Sequence, residues 1–236
     1  MNLVGIDISI DSTAVSISRK NIEDEDLIIC VFTTLKKNTG WVVKTMGYID
    51  YEFISYTYKD INDYSEKEII KLREYDHITD IIYNKIIGNI DKTEKTIISI
   101  EGFNYGLKGN SIIDVVAFST LLKIKLLNVI KLEKIIILSP MTVKSEAASI
   151  SYGYTLNKKG KKIINKNSNG ISGGRFDKKQ MLEAYLNINE NDGLSNILNK
   201  YKDELLKLKN VPKPIDDIVD SNFLMRILKN IIDSSF

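Results

Sequence analysis

A few acidic side chains stand where acids are costly or where their spacing is suggestive. Asp7 lies inside an otherwise apolar run, Leu3-Val4-Gly5-Ile6-Asp7-Ile8, and Glu101 ends a second one, Thr96-Ile97-Ile98-Ser99-Ile100. A buried carboxylate is expensive unless it is paired or bound to a cation. Further on, Asp217 and Asp220 fall i, i+3 on one face of a helical pattern, among Ile218, Val219, Phe223 and Leu224. Asp216 beside them needs no more than the favourable field at a helix N-terminus. If Asp7, Glu101, Asp217 and Asp220 converge, their hard oxygen ligands select Mg²⁺ or Mn²⁺. Two such ions about 4 Å apart can activate a water and stabilise the leaving oxygen of a phosphodiester.

That chemistry needs neither a histidine nor a nucleophilic side chain, and the chain has one histidine, His77, and one cysteine, Cys30. An internal disulfide, a cysteine zinc site and a multi-histidine metal site are therefore excluded. A Ser-His-Asp arrangement would have a single candidate base, set in a predicted helix. Cys30 reads as a small buried hydrophobe.

A chain of 236 residues, 43% hydrophobic and 27% charged, suits one domain carrying sizeable insertions. With 33 basic and 31 acidic residues, the net charge is only +2. Any nucleic-acid face must come from local clustering. The opening Met-Asn-Leu-Val-Gly has no basic n-region, and no apolar run approaches the roughly 18 residues of a membrane span. The expectation is a cytoplasmic protein (host cytoplasm if viral) with no membrane partner.

The elements that must position these acids follow from periodicity. Strand patterns cover 3–10, 13–19 and 27–34, with the acidic run Glu23–Asp26 as a hairpin turn. Residues 36–65, with Trp41 and five tyrosines, read as short strands and loops. A helix opens at Ser65-Glu66-Lys67-Glu68, with Ser65 as cap, and continues to about Gly88. Then come a buried strand at 96–100, a glycine-punctuated loop, a helix over 111–130, and a second buried strand at 134–138 stopped by Pro140. Helix–strand–helix–strand order implies parallel pairing with crossovers. Residues 153–174 carry five glycines and five lysines and read as a loop or hairpin. Helices resume at 177–187, 194–208 and 215–232.

This order of elements and acids resembles the ribonuclease H-like fold, an α/β mixed sheet of three antiparallel and then parallel strands flanked by helices. Within it, the motifs resemble the RuvC-type Holliday junction resolvases, especially diverged phage and large-DNA-virus versions. Gly5-Ile6-Asp7 with Ser12-Thr13 is similar to the family's opening motif, and Ile100-Glu101-Gly102-Phe103 to its second. Ser139-Pro140-Met141-Thr142-Val143-Lys144 resembles the strand-end segment with its basic residue. Gly174-Arg175-Phe176-Asp177-Lys178-Lys179 resembles the glycine-then-lysine helix start, and Pro214 with Asp217-Ile218-Val219-Asp220 the final acidic helix. The resemblance implies that Asp7, Glu101, Asp217 and Asp220 hold two Mg²⁺ ions, with Mn²⁺ able to substitute. It implies that Lys178 assists catalysis, and that Phe103 or Tyr105 stacks on bases at the junction centre. It also implies a homodimer acting on four-way DNA junctions. The chain departs from the family by having Ile8-Ser9 where Pro-Gly or Pro-Ser is usual. It also carries extra material at about 36–65 and 147–173 in what reads as one domain over 1–236.

Between Lys144 and Lys179 there are nine basic residues (Lys144, Lys158, Lys159, Lys161, Lys162, Lys166, Arg175, Lys178 and Lys179) against two acids, a local charge of +7. The remaining 24 basic and 29 acidic residues leave −5 for the rest. A glycine-lysine segment of this kind can follow phosphates without reading sequence. Two other readings stay open. One is a catalytically silent DNA-binding, virion or packaging module. The other is an actin-like ATPase, which would need a second glycine-rich phosphate loop after a strand; Gly173-Gly174 follows none.

Overall fold

The computed structural model describes residues 1–19, 27–102, 110–188 and 193–233. Side-chain alternation sets the layers. In β1 (Asn2–Asp7), Val4 and Ile6 point to one side of the sheet and Gly5 to the other. In β3 (Leu27–Thr33), Cys30 and Phe32 join Val4 and Ile6, whereas Ile29 and Val31 face the opposite core. Two hydrophobic cores therefore sandwich one sheet between helical layers.

The six strands run in the order β4 (Asp50–Phe53), β3, β2 (Ser12–Arg19), β1, β5 (Thr96–Glu101), β6 (Leu132–Leu138). β1, β2 (Ser12–Arg19) and β3 pair antiparallel. β5 (Thr96–Glu101) and β6 (Leu132–Leu138) add parallel strands beyond β1. This is the mixed arrangement expected from the sequence. One side is covered by α2 (Tyr64–Asn89) and α3 (Asn110–Leu126), which bury Tyr75, Ile78, Ile82, Phe118 and Leu122. The other is covered by α4 (Pro140–Tyr152), α5 (Lys178–Leu186), α6 (Gly193–Lys200), α7 (Lys202–Lys207) and α8 (Ile215–Asp233).

Several expectations need correction. The first strand stops at Asp7 and does not reach residue 10. Asp63, not Ser65, caps α2, accepting a hydrogen bond from the Glu66 amide at 2.8 Å. β6 is not buried: it is the sheet edge, and Ile137 is 57% exposed. Pro140 ends that strand by starting a helix, because the first helical position has no amide partner to lose and Ser139 caps it. The run 36–65 holds a short helix, α1 (Gly40–Thr45), and β4 (Asp50–Phe53), which extends the sheet parallel to β3. Helix α4 takes up the start of the second proposed insertion. A separate hairpin of β7 (Tyr154–Leu156) and β8 (Lys162–Ile164) follows. The helix expected over 194–208 is broken at Tyr201, whose ring meets the edge of Trp41. The acidic run 23–26 lies outside the described residues.

Candidate active site

A row of small residues brings the C-terminal acids to the first strand. Gly5 is in register with Ser16 on β2 and with Ser99 on β5. The three make a shallow trough across three strands, and α8 lies in it. Ser16 Oγ and Ser221 Oγ are 2.9 Å apart, and Ser99 Oγ donates to the Leu224 carbonyl at 2.7 Å. A Cβ on Gly5 would stand 2.2 Å from the Ser221 carbonyl oxygen and 2.4 Å from the Met225 nitrogen. Glycine is thus required by the closeness of a helix backbone. Asp7 follows Gly5 by two residues along β1, while Asp220 immediately precedes Ser221 and Asp217 lies about one helical turn before it. Parallel pairing ends β5 beside β1 with Glu101.

The four acids of the sequence reading are consequently brought together and mostly buried: Asp7 is 7% exposed, Asp217 1% and Asp220 6%. Burial raises the Asp7 carboxyl well above the usual carboxylate range, and the charges of Asp220, Asp217 and Glu101 push it further, against Lys178. Glu101 is pushed up to about 7, first by burial and then by Asp220, with Lys178 and Lys144 opposing. Asp217 and Asp220 are raised as well, chiefly by burial. In each case burial is the largest cause, and at least one neighbouring carboxylate adds to it while a lysine opposes it.

Lysines supply the partial neutralisation. Lys178 opens α5, where a cation opposes the helix dipole. Its ammonium is held by Asp220 Oδ2 at 2.5 Å and Asp216 Oδ2 at 3.7 Å. Burial alone would depress its pKa, but Asp220 and Asp7 hold it above the usual lysine range. Lys213, which the sequence reading passed over, pairs with Asp217 Oδ1 and lies 3.4 Å from Asp216 Oδ2. Asp216 therefore does more than serve the helix end: it faces both lysines. The missed signal was the spacing of Lys213 to Asp216 and Asp217, i, i+3 and i, i+4 across the helix start.

Among the described residues, no three of His, Cys, Asp or Glu stand at the spacing a bound ion requires. The donor chemistry still suits a hard divalent cation. The acids offer oxygen alone, and Asp216 Oδ1, Asp217 Oδ2 and the Ser12 hydroxyl are buried without a hydrogen-bond partner. Ser12 is near enough to draw the Asp217 pKa down, though no hydrogen bond of full geometry joins them. For Asp7, Glu101, Asp217 and Asp220 to hold an ion together, their side chains would have to move from the positions described.

The basic candidates spread outward from this cluster. Lys144, on the first half of α4, is close enough to lower the Glu101 pKa. Lys158, Lys159 and Lys161 are exposed at the turn between β7 and β8. Lys162 is tied to Glu146 at 3.0 Å and sits 4.5 Å above the Tyr154 ring. Arg175 is exposed in a short turn that leads back to Lys178. Lys179 donates to the Leu208 carbonyl at 3.3 Å and so braces the end of α7. Gly173 packs against α4, where a Cβ would meet Ala148 Cβ at 2.4 Å; close helix contact accounts for this glycine. Phe103 and Tyr105 lie outside the described residues.

No helix among the described residues is long and apolar enough to cross a membrane. No protein-family model matches the chain, and no curated protein matches it. Among solved structures, a Thermus thermophilus RuvC structure is similar over 98% of this chain and 96% of that one, at 10% identity and a TM-score of 0.43. T. thermophilus RuvC in complex with a Holliday junction substrate is similar over 95% of this chain and 90% of that one, at 9% identity and a TM-score of 0.41. At that level the likeness carries no inference about activity, which has to come from the chemistry of the site.

Proposed function

We propose that this chain is a divalent-metal-dependent endonuclease that cuts branched DNA, with the four-way junction as its substrate. The observation that carries the reading is the convergence of Asp7, Glu101, Asp217 and Asp220 from β1, β5 and α8, with buried oxygens left partnerless. The motif order supports it too, as does the basic segment running from Lys144 to Lys179.

Asp7, Glu101, Asp217 and Asp220 would hold the metal, with Mg²⁺ or Mn²⁺ fitting their oxygens. Divalent ions held there would lower the pKa of an attacking water and offset charge on the departing oxygen. The chain's own residues do the rest. Lys178 keeps its proton and could place a positive charge against the phosphoryl oxygens on which negative charge would grow. Lys213 would leave Asp217 free to act as a ligand if it shifted to Asp216, which already lies 3.4 Å from its ammonium. Lys144 faces the Glu101 side and can hold a flanking phosphate.

Two symmetric cuts require a twofold dimer. A stripe of Ile113, Val116, Ile124 and Leu127, on and just past α3, is 39–66% exposed and offers a face for a second copy.

The test is cleavage of a labelled four-way junction beside a matched linear duplex, in Mg²⁺, Mn²⁺ or EDTA, with light scattering to count copies. Paired metal-dependent nicks on the junction, absent in Asp7→Asn, are expected. Retained metal-dependent cutting by Asp7→Asn would overturn the site. One observation favours a second reading, a silent DNA-binding module: Lys178 and Lys213 already pair with Asp220 and Asp217. Junction binding with no cutting in either metal would select it.

A further inference from the structure

The β7–β8 hairpin stands outside the six-stranded sheet as its own two-stranded unit. Its composition is unusual in two ways. From residue 147 to 176 the chain contains no acidic residue, yet carries Lys158, Lys159, Lys161, Lys162, Lys166 and Arg175. Within this positive stretch, large apolar side chains are left in solvent: Tyr154 is 51% exposed, Leu156 65% and Ile163 51%. Register and alternation put Tyr154 and Leu156 on one face of the hairpin, with Lys162 opposite Leu156. Ile163, opposite Thr155, lies on the other face; isolated exposed apolar residues need no explanation, but the Tyr154–Leu156 pair on one face amid lysines does.

The hairpin is braced. Lys162 bridges to Glu146 on α4 and lies over the Tyr154 ring, and the Asn165 side-chain amide donates to the Tyr152 carbonyl at 2.8 Å. From Lys144, beside Glu101, to Tyr152 at the end of α4 is eight residues, or about 12 Å of helix. That is roughly the rise of three to four nucleotides at 3.4 Å each.

We propose that this hairpin is a wedge for nucleic acid, with Tyr154 and Leu156 packing against unstacked bases at a branch point while Lys158, Lys159 and Lys161 hold the adjoining phosphates. The charge selects a polyanion over an apolar protein partner. The aromatic and aliphatic pair selects bases that are free to leave the stack. The inference rests on the DNA-cutting reading above and deepens it, by naming what distinguishes a branch from plain duplex.

The experiment is fluorescence anisotropy in EDTA at fixed salt, on a four-way junction with 2-aminopurine at the branch and on a matched linear duplex. The full-length Tyr154→Ala/Leu156→Ala protein should lose about tenfold or more in junction affinity. Its duplex affinity should stay within about twofold, and the rise in 2-aminopurine emission should disappear. Tyr154→Phe should behave as the unmodified protein, which guards against a folding artefact. Equal loss on both substrates, or no loss on either, overturns the wedge, as does an unmodified protein that binds neither DNA. Because no cleavage is needed, the two ideas fail separately. Junction discrimination without cutting in any metal would remove the nuclease and keep the wedge, and normal cutting with an unaffected double variant would do the reverse.

Discussion

Asp7 and Lys213 show how a residue's usefulness and its cost to the fold can be measured apart. Asp7 is buried, and three other carboxylates push on it. Asp7→Asn removes the repulsion from three carboxylates and the burial cost of a charge, which outweigh the support that Asp7 gives to Lys178. We expect the variant to lose cleavage while its melting temperature in EDTA rises by a few degrees, on the order of 1 kcal/mol. Lys213→Met has the opposite sign, because it strips Asp217 of its partner. The loss in EDTA should be about 1–2 kcal/mol, below the cost of breaking a fully buried pair because half of the Lys213 side chain is in solvent. Mg²⁺ should restore much of that loss, and a thermal melt with and without the ion checks it. The acids were legible in the sequence because a carboxylate in an apolar strand is conspicuous. Lys213 was not, because a lysine next to two prolines looks like any surface residue until α8 turns Asp217 inward.

Among the elements, α8 depends on the trough formed by Ser16, Gly5 and Ser99. Gly5→Ala would put a methyl group into the backbone of Ser221 and Met225, which cannot move without shifting the helix. We expect a loss of about 3 kcal/mol or more in urea unfolding, at the upper end of what overpacking costs. Gly5 first drew notice as part of a motif, and its physical reason needed the helix in place. Long periodic elements such as α2 and α8 were readable from their apolar spacing. Helix α4 was missed because a proline after a strand serves equally to stop the strand or to start a helix, and Ser139 settles it only once its cap forms. The break at Tyr201 depends on a tertiary contact with Trp41, which local patterns do not carry.

Over the whole molecule, charge is sorted more sharply than the net value of +2 suggests: the segment from Lys144 to Lys179 holds +7 and the remainder −5. This partition was visible from the sequence, but its shape was not. Part of the positive charge is spoken for, Lys162 by Glu146 and Lys179 by the Leu208 carbonyl. Lys158, Lys159 and Lys161 are left at an exposed turn. Replacing these three by Gln should flatten the dependence of log K on log salt by up to about 0.9 per contact, roughly 3 in total, for junction and duplex alike. A titration series across NaCl concentrations reads this directly.

The seat of α8 on β1, β2 and β5 also decides how the site can move. The helix that carries Asp217 and Asp220 is the one whose carbonyls and hydroxyls lock the centre of the sheet, through Ser221 and Leu224. Those bonds fall one and four residues beyond Asp220, so we expect half of the acid cluster to separate from the other half only when the sheet itself comes apart. Amide protons from Ser221 to Met225 should then exchange with deuterium only through global opening, with protection equal to the full unfolding free energy, while those of the β7–β8 hairpin exchange far sooner. Heat or denaturant would thus abolish the acid cluster and the fold in a single transition, with no range of conditions in which a loosened site survives on an intact scaffold.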